Sequence, residues 1–196
     1  MRIVLASSNK HKADEITAML SPNFEINLQS DMGIDSAAET GTAFIENALI
    51  KARHASALAG MPAIADDSGL CVSALGGGPG ILSARYAGPN ATDQDNLNKL
   101  LAELGGNRNR DAFFYCVMVF LEGADSVKPI IAEANWHGEI GLAPSGTSGF
   151  GYDPVFYLPE LGVTAAELAM SQKNSISHRG LALIQLKDKL FERYPV

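Results

Sequence analysis

The chain begins with MRIVLASSNKHKADEITAML at positions 1–20, a stretch that predicts a strand, a polar turn and a helix in immediate succession. The run Arg2–Ala6 is mostly apolar, as in a buried strand, and Ser7-Ser8-Asn9 forms the turn. Apolar residues then recur at helical spacing at Ala13, Ile16, Met19 and Leu20. A strand that leads directly into a helix is the repeating unit of α/β folds.

The rest of the chain continues this alternation of strands and helices. Thr42–Ala59 has an apolar face at helical spacing, formed by Ile45, Ala48, Leu49, Ala52, Ala55 and Ala59, and glycine and proline follow it. Further helices are predicted over 92–104, from Thr164 with Glu167 as its capping box, and after Ser177. Strands are predicted over 24–28, 63–65, 112–121, 130–136 and 155–158. The pattern predicts an α/β protein with a mixed β-sheet and flanking helices.

The organisation of the chain predicts one domain over residues 1–196, because no linker divides it. Two glycine-rich breaks interrupt the pattern, GGGPG at 76–80 and APSGTSGFGYDP at 143–154. Both breaks are suited to border a cleft between two lobes.

Charge and composition exclude several classes of protein. The chain has 22 Asp and Glu against 15 Lys and Arg, a net charge of −7, which argues against surface binding of nucleic acid but not against a small phosphorylated substrate. The apolar run 112–121 is about half of the roughly 20 residues of a membrane helix, and the N-terminus lacks the apolar core of a signal peptide. For Cys71 and Cys116, reduced core thiols are favoured over a disulfide. We therefore expect a soluble, cytoplasmic protein without a membrane partner.

The first candidate site is Ser7-Ser8-Asn9-Lys10-His11-Lys12, between the first strand and the first helix. A helix N-terminus has unpaired N–H groups and attracts anions, and these side chains add hydroxyl, amide and ammonium donors. The segment therefore suits a phosphate chain, although an ordinary helix cap with solvated lysines would have the same sequence.

The second candidate is Asp66-Asp67-Ser68-Gly69, expected directly after the apolar strand. Adjacent carboxylates at the end of a buried strand require compensation, which Mg²⁺ bridged to phosphate oxygens would supply. A polar turn in which one aspartate caps a backbone N–H is the alternative. Glu39 is a further carboxylate that could join such a site.

Two more candidates lie towards the C-terminus. The loop at 146–154 combines glycines with Phe150, Tyr152 and Asp153, so it offers close backbone approach, a stacking face and a carboxylate acceptor. Lys173, His178 and Arg179 offer donors at the start of the last helix. A core-packed turn and a helix cap with solvated basic residues are the respective alternatives.

Six segments together resemble the inosine triphosphate pyrophosphatase family, whose members remove deaminated purine nucleotides. They are LASSNKHK at 5–12, ETGTAFIENALIKA at 39–52, ADDSGL at 65–70, LGGGPGILSARYAG at 75–88, GFGYDPVF at 149–156 and SHRGLAL at 177–183. They occur in the family's order over almost the whole chain, and the bacterial dITP/XTP pyrophosphatase branch is most similar. Ser7 stands where the family often has threonine, and Ser148 where it often has glycine.

The resemblance implies an activity and an architecture. The activity is hydrolysis of ITP, dITP and XTP to the monophosphate and pyrophosphate, with Mg²⁺ as cofactor. The architecture is an elongated mixed β-sheet with the active site in a cleft between two lobes, in a homodimer.

The resemblance also implies roles for individual residues. The triphosphate would contact residues 7–12, mainly Asn9 and Lys12, and Lys173 would balance its charge. Asp67 would be the catalytic residue, as base, Mg²⁺ ligand with Glu39, or both, with Ser68 contacting the substrate beside it. At the base, Phe150 would stack and Asp153, His178 and Arg179 would contact the ring edge. Gly151 and Tyr152 complete the expected substrate-binding loop.

Three other functions compete with this interpretation. A pyrophosphatase of pyrimidine or modified nucleotides shares the broad architecture, but GFGYDP and SHRG favour purines. A non-catalytic nucleotide sensor is disfavoured because a binder gains little from two acids beside a triphosphate. An RNA-binding module is disfavoured by the acidic balance.

Overall fold

A computed structural model of the chain describes residues 1–8 and 10–195, apart from the side chains of Lys10, His11 and Glu15. Within these residues the strands are β1 (Arg2–Leu5), β2 (Glu25–Leu28), β3 (Ala63–Val72), β4 (Asp111–Leu121), β5 (Ile130–Ile140), β6 (Phe156–Leu158) and β7 (Val163–Thr164). The helices are α1 (Lys10–Leu20), α2 (Phe44–Ala59), α3 (Asp93–Leu104), α4 (Met170–Ile176) and α5 (His178–Arg193). Single 3₁₀ segments cover Ser30–Met32, Ser73–Leu75, Gly80–Arg85 and Ala165–Glu167.

The strands form one mixed sheet in the order β2-β1-β3-β4-β5-β6-β7. Strand β1 pairs in parallel with both β2 and β3, so α1 and α2 lie on the connections that such pairing requires. At the other end of the order, β6 pairs antiparallel with β5 and with β7. The predicted α/β fold with a mixed sheet is confirmed.

The chain divides into two compact units, each with its own apolar core. Unit 1 comprises residues 1–67, 116–134 and 181–196, and unit 2 comprises residues 68–115 and 135–180. The core of unit 1 includes Ile3, Ile16, Phe120 and Leu186. The core of unit 2 includes Leu70, Leu100, Trp136 and Phe156.

Several local predictions are confirmed. Helix α2 ends at Gly60, which adopts the left-handed conformation with φ of 64°. Thr164 and Glu167 form the predicted capping box, in which the Thr164 N–H donates to the Glu167 carboxylate at 2.7 Å. Cys71 and Cys116 are buried free thiols, as expected.

Other local predictions are wrong or incomplete. Strand β3 does not end at Ala65 but continues to Val72, so the two aspartates lie within a strand. The buried face of α2 is formed by Ala48, Ala52 and Ala55 with polar Asn47 and Ser56, whereas Ile45 and Leu49 are only partly buried. Small side chains allow a helix to pack closely against its neighbours. The helical spacing of apolar residues does not indicate whether the small or the large ones form the buried face. Helix α4 and strand β7 were not predicted.

Within the described residues, no helix combines the length and the apolar composition that crossing a membrane requires.

Candidate active site

Strand β3 positions two buried aspartates, Asp66 and Asp67. Successive side chains of a strand point to opposite faces of the sheet, so the two carboxylates diverge. Each is paired with a different ammonium group: Lys12 Nζ lies 2.8 Å from Asp66 Oδ2, and Lys51 Nζ lies 2.9 Å from Asp67 Oδ1. Lysines therefore provide the compensation that the adjacent carboxylates require.

Helix α2 contributes two side chains to Asp67. Lys51 Nζ contacts Glu39 Oε1 at 3.0 Å as well as Asp67, so one ammonium group joins two carboxylates. Asn47, one helical turn earlier, donates through Nδ2 to Asp67 Oδ2 at 3.4 Å. Its Oδ1 accepts from the Gly41 N–H at 2.8 Å. Both oxygens of Asp67 thus face donors from α2.

Burial and charge shift the proton affinities of this group. Burial, the largest single effect, lowers the pKa of Lys51, but the combined attraction of Asp66, Asp67 and Glu39 outweighs it and leaves the pKa above its ordinary value. Burial raises the pKa of Asp67, and the neighbouring Lys51 only partly opposes this. Lys51 is therefore a permanent cation at neutral pH, and Asp67 binds a proton more readily than an exposed aspartate.

In unit 2, His178 is held between aromatic neighbours. Its ring stacks on Phe114 at a centroid distance of 4.7 Å and an angle of 9°, and on Trp136 at 6.2 Å and 19°. All three side chains are buried. The packing fixes the plane of the imidazole at the start of α5.

The adjacent Arg179 is buried and joins two other predicted site residues. Its Nη2 donates to the Ser68 hydroxyl at 3.1 Å, and its guanidinium carbon lies 5.5 Å from the centre of the Phe150 ring. Phe150 remains 45% exposed, so part of the ring is open for a further stacking partner.

Asp153 is turned inwards within unit 2. Its Oδ2 accepts from the Phe150 N–H at 2.9 Å and from the Lys173 ammonium, which itself lies 5.1 Å from the centre of the Phe150 ring. Asp153 is 3% exposed. These two contacts hold the loop that carries Phe150.

The neighbouring loop residues are also held by the protein. The Tyr152 hydroxyl donates to the Ser83 carbonyl at 2.8 Å, and burial raises the pKa of this buried phenol. The Gly151 N–H donates to Asp93 Oδ2 at 2.7 Å. The structure thus places the Tyr152 side chain in the core of unit 2.

The carboxylates of unit 1 fit a divalent cation. Glu39 and Asp67 are hard oxygen donors that one ammonium already brings together, and Mg²⁺ is typically bound by one or two carboxylates plus substrate phosphates. Among the described residues, no group of three or more His, Cys, Asp and Glu side chains is arranged to hold a metal ion. Phosphate oxygens and water would complete the coordination.

Comparison with known proteins identifies the family. The model of the Ham1 family matches residues 3–189. The chain belongs to the Ham1 family. Among its relatives, a protein from Shigella flexneri named dITP/XTP pyrophosphatase is 53% identical over 96% of this chain and 98% of its own length. A protein of the same name from Nitrosomonas europaea is 52% identical over 100% and 97% of the two chains.

Solved Ham1 structures have the same fold. The structure of a Ham1 protein from Coxiella burnetii superposes with a TM-score of 0.94 at 46% identity, over 98% of this chain and 99% of that one. That of the Staphylococcus aureus Ham1 protein superposes with a TM-score of 0.90 at 40% identity, over 98% and 100%. The resemblance inferred from the six segments is confirmed.

The structure of this Ham1 chain groups the predicted site residues in two sets. Lys12, Glu39 and Asp67 belong to unit 1, where Ser7 and Ser8 follow β1. Ser68, Phe150, Asp153, Lys173, His178 and Arg179 belong to unit 2. Lys173, expected at the triphosphate, contacts residues that were expected at the base. The predicted contacts of Asn9 and of the Lys10 and His11 side chains lie outside the described part.

Sequence reasoning missed Lys51 and Asn47. One signal was available: the two polar residues are four positions apart, so they lie on the same side of a helix whose buried face is otherwise built of small residues.

Proposed function

We propose that this Ham1 protein hydrolyses non-standard purine nucleoside triphosphates, namely ITP, dITP and XTP, to the nucleoside monophosphate and pyrophosphate. One observation carries the proposal. Asp67 is buried and held by Lys51 and Asn47, in a chain that is 53% identical to a protein named dITP/XTP pyrophosphatase. Such a constrained carboxylate beside cations suits phosphate chemistry better than passive binding.

The triphosphate is assigned to residues of unit 1. Ser7, Ser8 and the start of α1 supply donors, with Asn9 and Lys12 as the main contacts. Lys12 is already held by Asp66, which keeps its ammonium in place before substrate binds. Glu39 and Asp67 would hold Mg²⁺. When bound, Mg²⁺ supplies positive charge that polarises the phosphate oxygens.

The reaction is attack of a water oxygen on the α-phosphorus. The bond from that phosphorus to the oxygen bridging to the β-phosphorus breaks, and pyrophosphate leaves with that oxygen. Asp67 orients the water and takes its proton, which passes to solvent. The position of Asp67 supports this role, because its buried carboxylate is oriented by contacts with both Lys51 and Asn47.

The purine base is assigned to residues of unit 2. Phe150 stacks on the ring, and Asp153, His178 and Arg179 contact its edge. The pair formed by Lys173 and Asp153 also holds the Phe150 loop. Hypoxanthine and xanthine have a carbonyl at position six, to which the Arg179 guanidinium can donate. Adenine has an amino group there, which would leave a buried donor unpaired.

We also propose that the protein is a homodimer in the cytoplasm, as the family resemblance implies. Light scattering coupled to size-exclusion chromatography measures the oligomeric state directly.

A nucleotide panel tests the proposed activity. Pyrophosphate release is measured from dITP, XTP, dATP, dTTP and UTP, with and without Mg²⁺. We expect release from dITP and XTP that requires the metal and is at least tenfold slower from dATP. Preferential release from dTTP or UTP would establish the pyrimidine enzyme instead, and no release from any nucleotide would favour the sensor.

A substitution tests the catalytic residue. Asp67→Asn keeps the shape of the side chain but removes its charge, so we expect loss of pyrophosphate release from a protein that remains folded by circular dichroism. Turnover near that of the unmodified enzyme would remove Asp67 from the catalytic role.

A further inference from the structure

Asn47 connects two segments of the candidate active site. It lies in α2 and is completely buried. Its Oδ1 accepts from the Gly41 N–H at 2.8 Å, and its Nδ2 donates to Asp67 Oδ2 at 3.4 Å. One side chain therefore links the backbone of the loop that carries Glu39 to the carboxylate on β3.

Lys51 makes a parallel connection one helical turn away. Its ammonium joins the side chains of Glu39 and Asp67, whereas Asn47 joins the Glu39 loop backbone to the same aspartate. The two oxygens of Asp67 are divided between them, Oδ1 to Lys51 and Oδ2 to Asn47. A single contact would leave the carboxylate free to rotate about its last bond, and the second contact restricts that rotation.

The chemistry of this position requires an amide. A primary amide accepts from an N–H through its oxygen and donates to a carboxylate through its nitrogen at the same time. An ionised aspartate would keep the first contact but could not donate, and an apolar residue would lose both. Buried polar groups that lose their partners carry a free-energy penalty, so the choice of residue matters at full burial.

Gly41 is matched to this amide. A Cβ atom at this glycine would lie 2.7 Å from Asn47 Oδ1 and 2.7 Å from Glu46 Cβ. Any larger residue would therefore displace the amide or the loop. The absence of a side chain at Gly41 is what allows its N–H to approach Asn47.

We propose that Asn47 is a positioning residue that fixes the orientation of the Asp67 carboxylate relative to Glu39 during pyrophosphate release. Asn47 acts through Asp67 and does not contact the substrate. This inference rests on the proposed function and adds to it a determinant outside the predicted substrate-binding segments.

The test compares variants of Asn47 with variants of a matched residue. Asn96 in α3 is also buried, accepts from the Ala87 N–H at 2.7 Å and donates to the Ala84 carbonyl at 3.2 Å. It holds a loop in the same way, but neither of these bonds involves a carboxylate. Asn47→Ala, Asn47→Asp, Gly41→Ala, Asn96→Ala and Asn96→Asp are prepared, and their folding is checked by thermal unfolding.

For the Asn47 and Gly41 variants we expect kcat for dITP to fall about 10- to 100-fold, the range seen when outer residues that orient metal-site ligands are removed. KM is expected to change less than about threefold, since phosphate and base contacts remain. Calorimetric binding of a dITP analogue with a non-cleavable α,β link is expected to stay within the same limit. The Asn96 variants are expected to keep kcat within about threefold.

The outcomes separate the possible roles. Asn47→Asp keeps the Gly41 contact, so unchanged kcat in this variant beside a loss in Asn47→Ala would overturn the inference and leave Asn47 as a loop support. Equal losses in the Asn47 and Asn96 variants would overturn it as well. If the unmodified enzyme released no pyrophosphate, the proposed function itself would fail, and this inference with it.

Discussion

Replacing Gly149 by alanine tests whether Asp153 organises the Phe150 loop. Gly149 has a φ of 77°, a conformation that costs an alanine about 1 kcal/mol or slightly more. In addition, its new Cβ would lie 2.1 Å from Asp153 Oδ2, the atom that accepts from the Phe150 N–H and from Lys173. The carboxylate or the loop must therefore move.

The expected destabilisation is the sum of these two effects. A hydrogen bond to a charged group contributes about 1.5–3 kcal/mol, so loss of one such bond adds about 2 kcal/mol to the strain of positive φ. Gly149→Ala is then expected to lower the free energy of unfolding by about 3 kcal/mol. Because Phe150 moves with the loop, we also expect kcat/KM for dITP to fall at least tenfold.

Gly162→Ala is the matched control for this prediction. Gly162 belongs to the same unit and has a φ of 71°, but a Cβ there would meet nothing within 4 Å. The Gly162→Ala variant therefore has only the backbone strain, which is expected to lower the free energy of unfolding by about 1 kcal/mol and to leave turnover unchanged. Urea unfolding and dITP hydrolysis are measured on both variants. Equal loss of stability in the two, or normal kcat/KM in Gly149→Ala, would refute the role assigned to Asp153.

Three further predictions concern charged side chains. Lys51→Met is expected to lower the free energy of unfolding by about 3 kcal/mol at neutral pH, since it leaves buried Asp67 without its cation. Lys51 lowers the pKa of Asp67, so its removal raises that pKa further. The deficit in the free energy of unfolding, measured with urea, is therefore expected to shrink as the pH falls through this pKa, because the folded variant then gains a proton; a deficit independent of pH would contradict this. Arg179→Ala is expected to reduce the preference for dITP over dATP by about 10- to 100-fold in competing-substrate assays, and an unchanged ratio would refute the edge contact. Hydrogen bonds from the Thr164 N–H and Ser145 hold the pKa of Glu167 below its ordinary value, so its stabilisation is lost as the pH falls through that lowered pKa. The difference in thermal unfolding midpoint between the unmodified enzyme and Glu167→Gln is therefore expected to shrink on acidification. A difference independent of pH would show that the charge of Glu167 does not contribute to the stability of this cap.

The fold class and the family followed from local sequence. The strand–turn–helix order of residues 1–20 predicted α/β, and β1 and α1 occur there. The capping box at Thr164 was predictable because its two members interact across three positions of the chain. The six segments were sufficient to identify the family, because each is a continuous stretch whose residue types and order can be compared directly.

The roles within the site depended on contacts between distant segments. Asp66 and Asp67 suggested the end of a strand, because a single sequence does not show that Lys12 and Lys51 neutralise them. With that neutralisation, β3 continues to Val72. Likewise, the residue types around Asp153 do not show that its carboxylate accepts from Lys173 and from the Phe150 N–H.

Sequence alone thus determined which side chains are available for phosphate and purine chemistry, since residue type and order are local properties. The tertiary structure decided which of them act on one another. Asn47 illustrates the difference: in the sequence it is one polar residue in a helix, and in the structure it joins Gly41 to Asp67. The physical reason is that a buried amide or carboxylate takes its orientation from partners that only folding brings within hydrogen-bond distance.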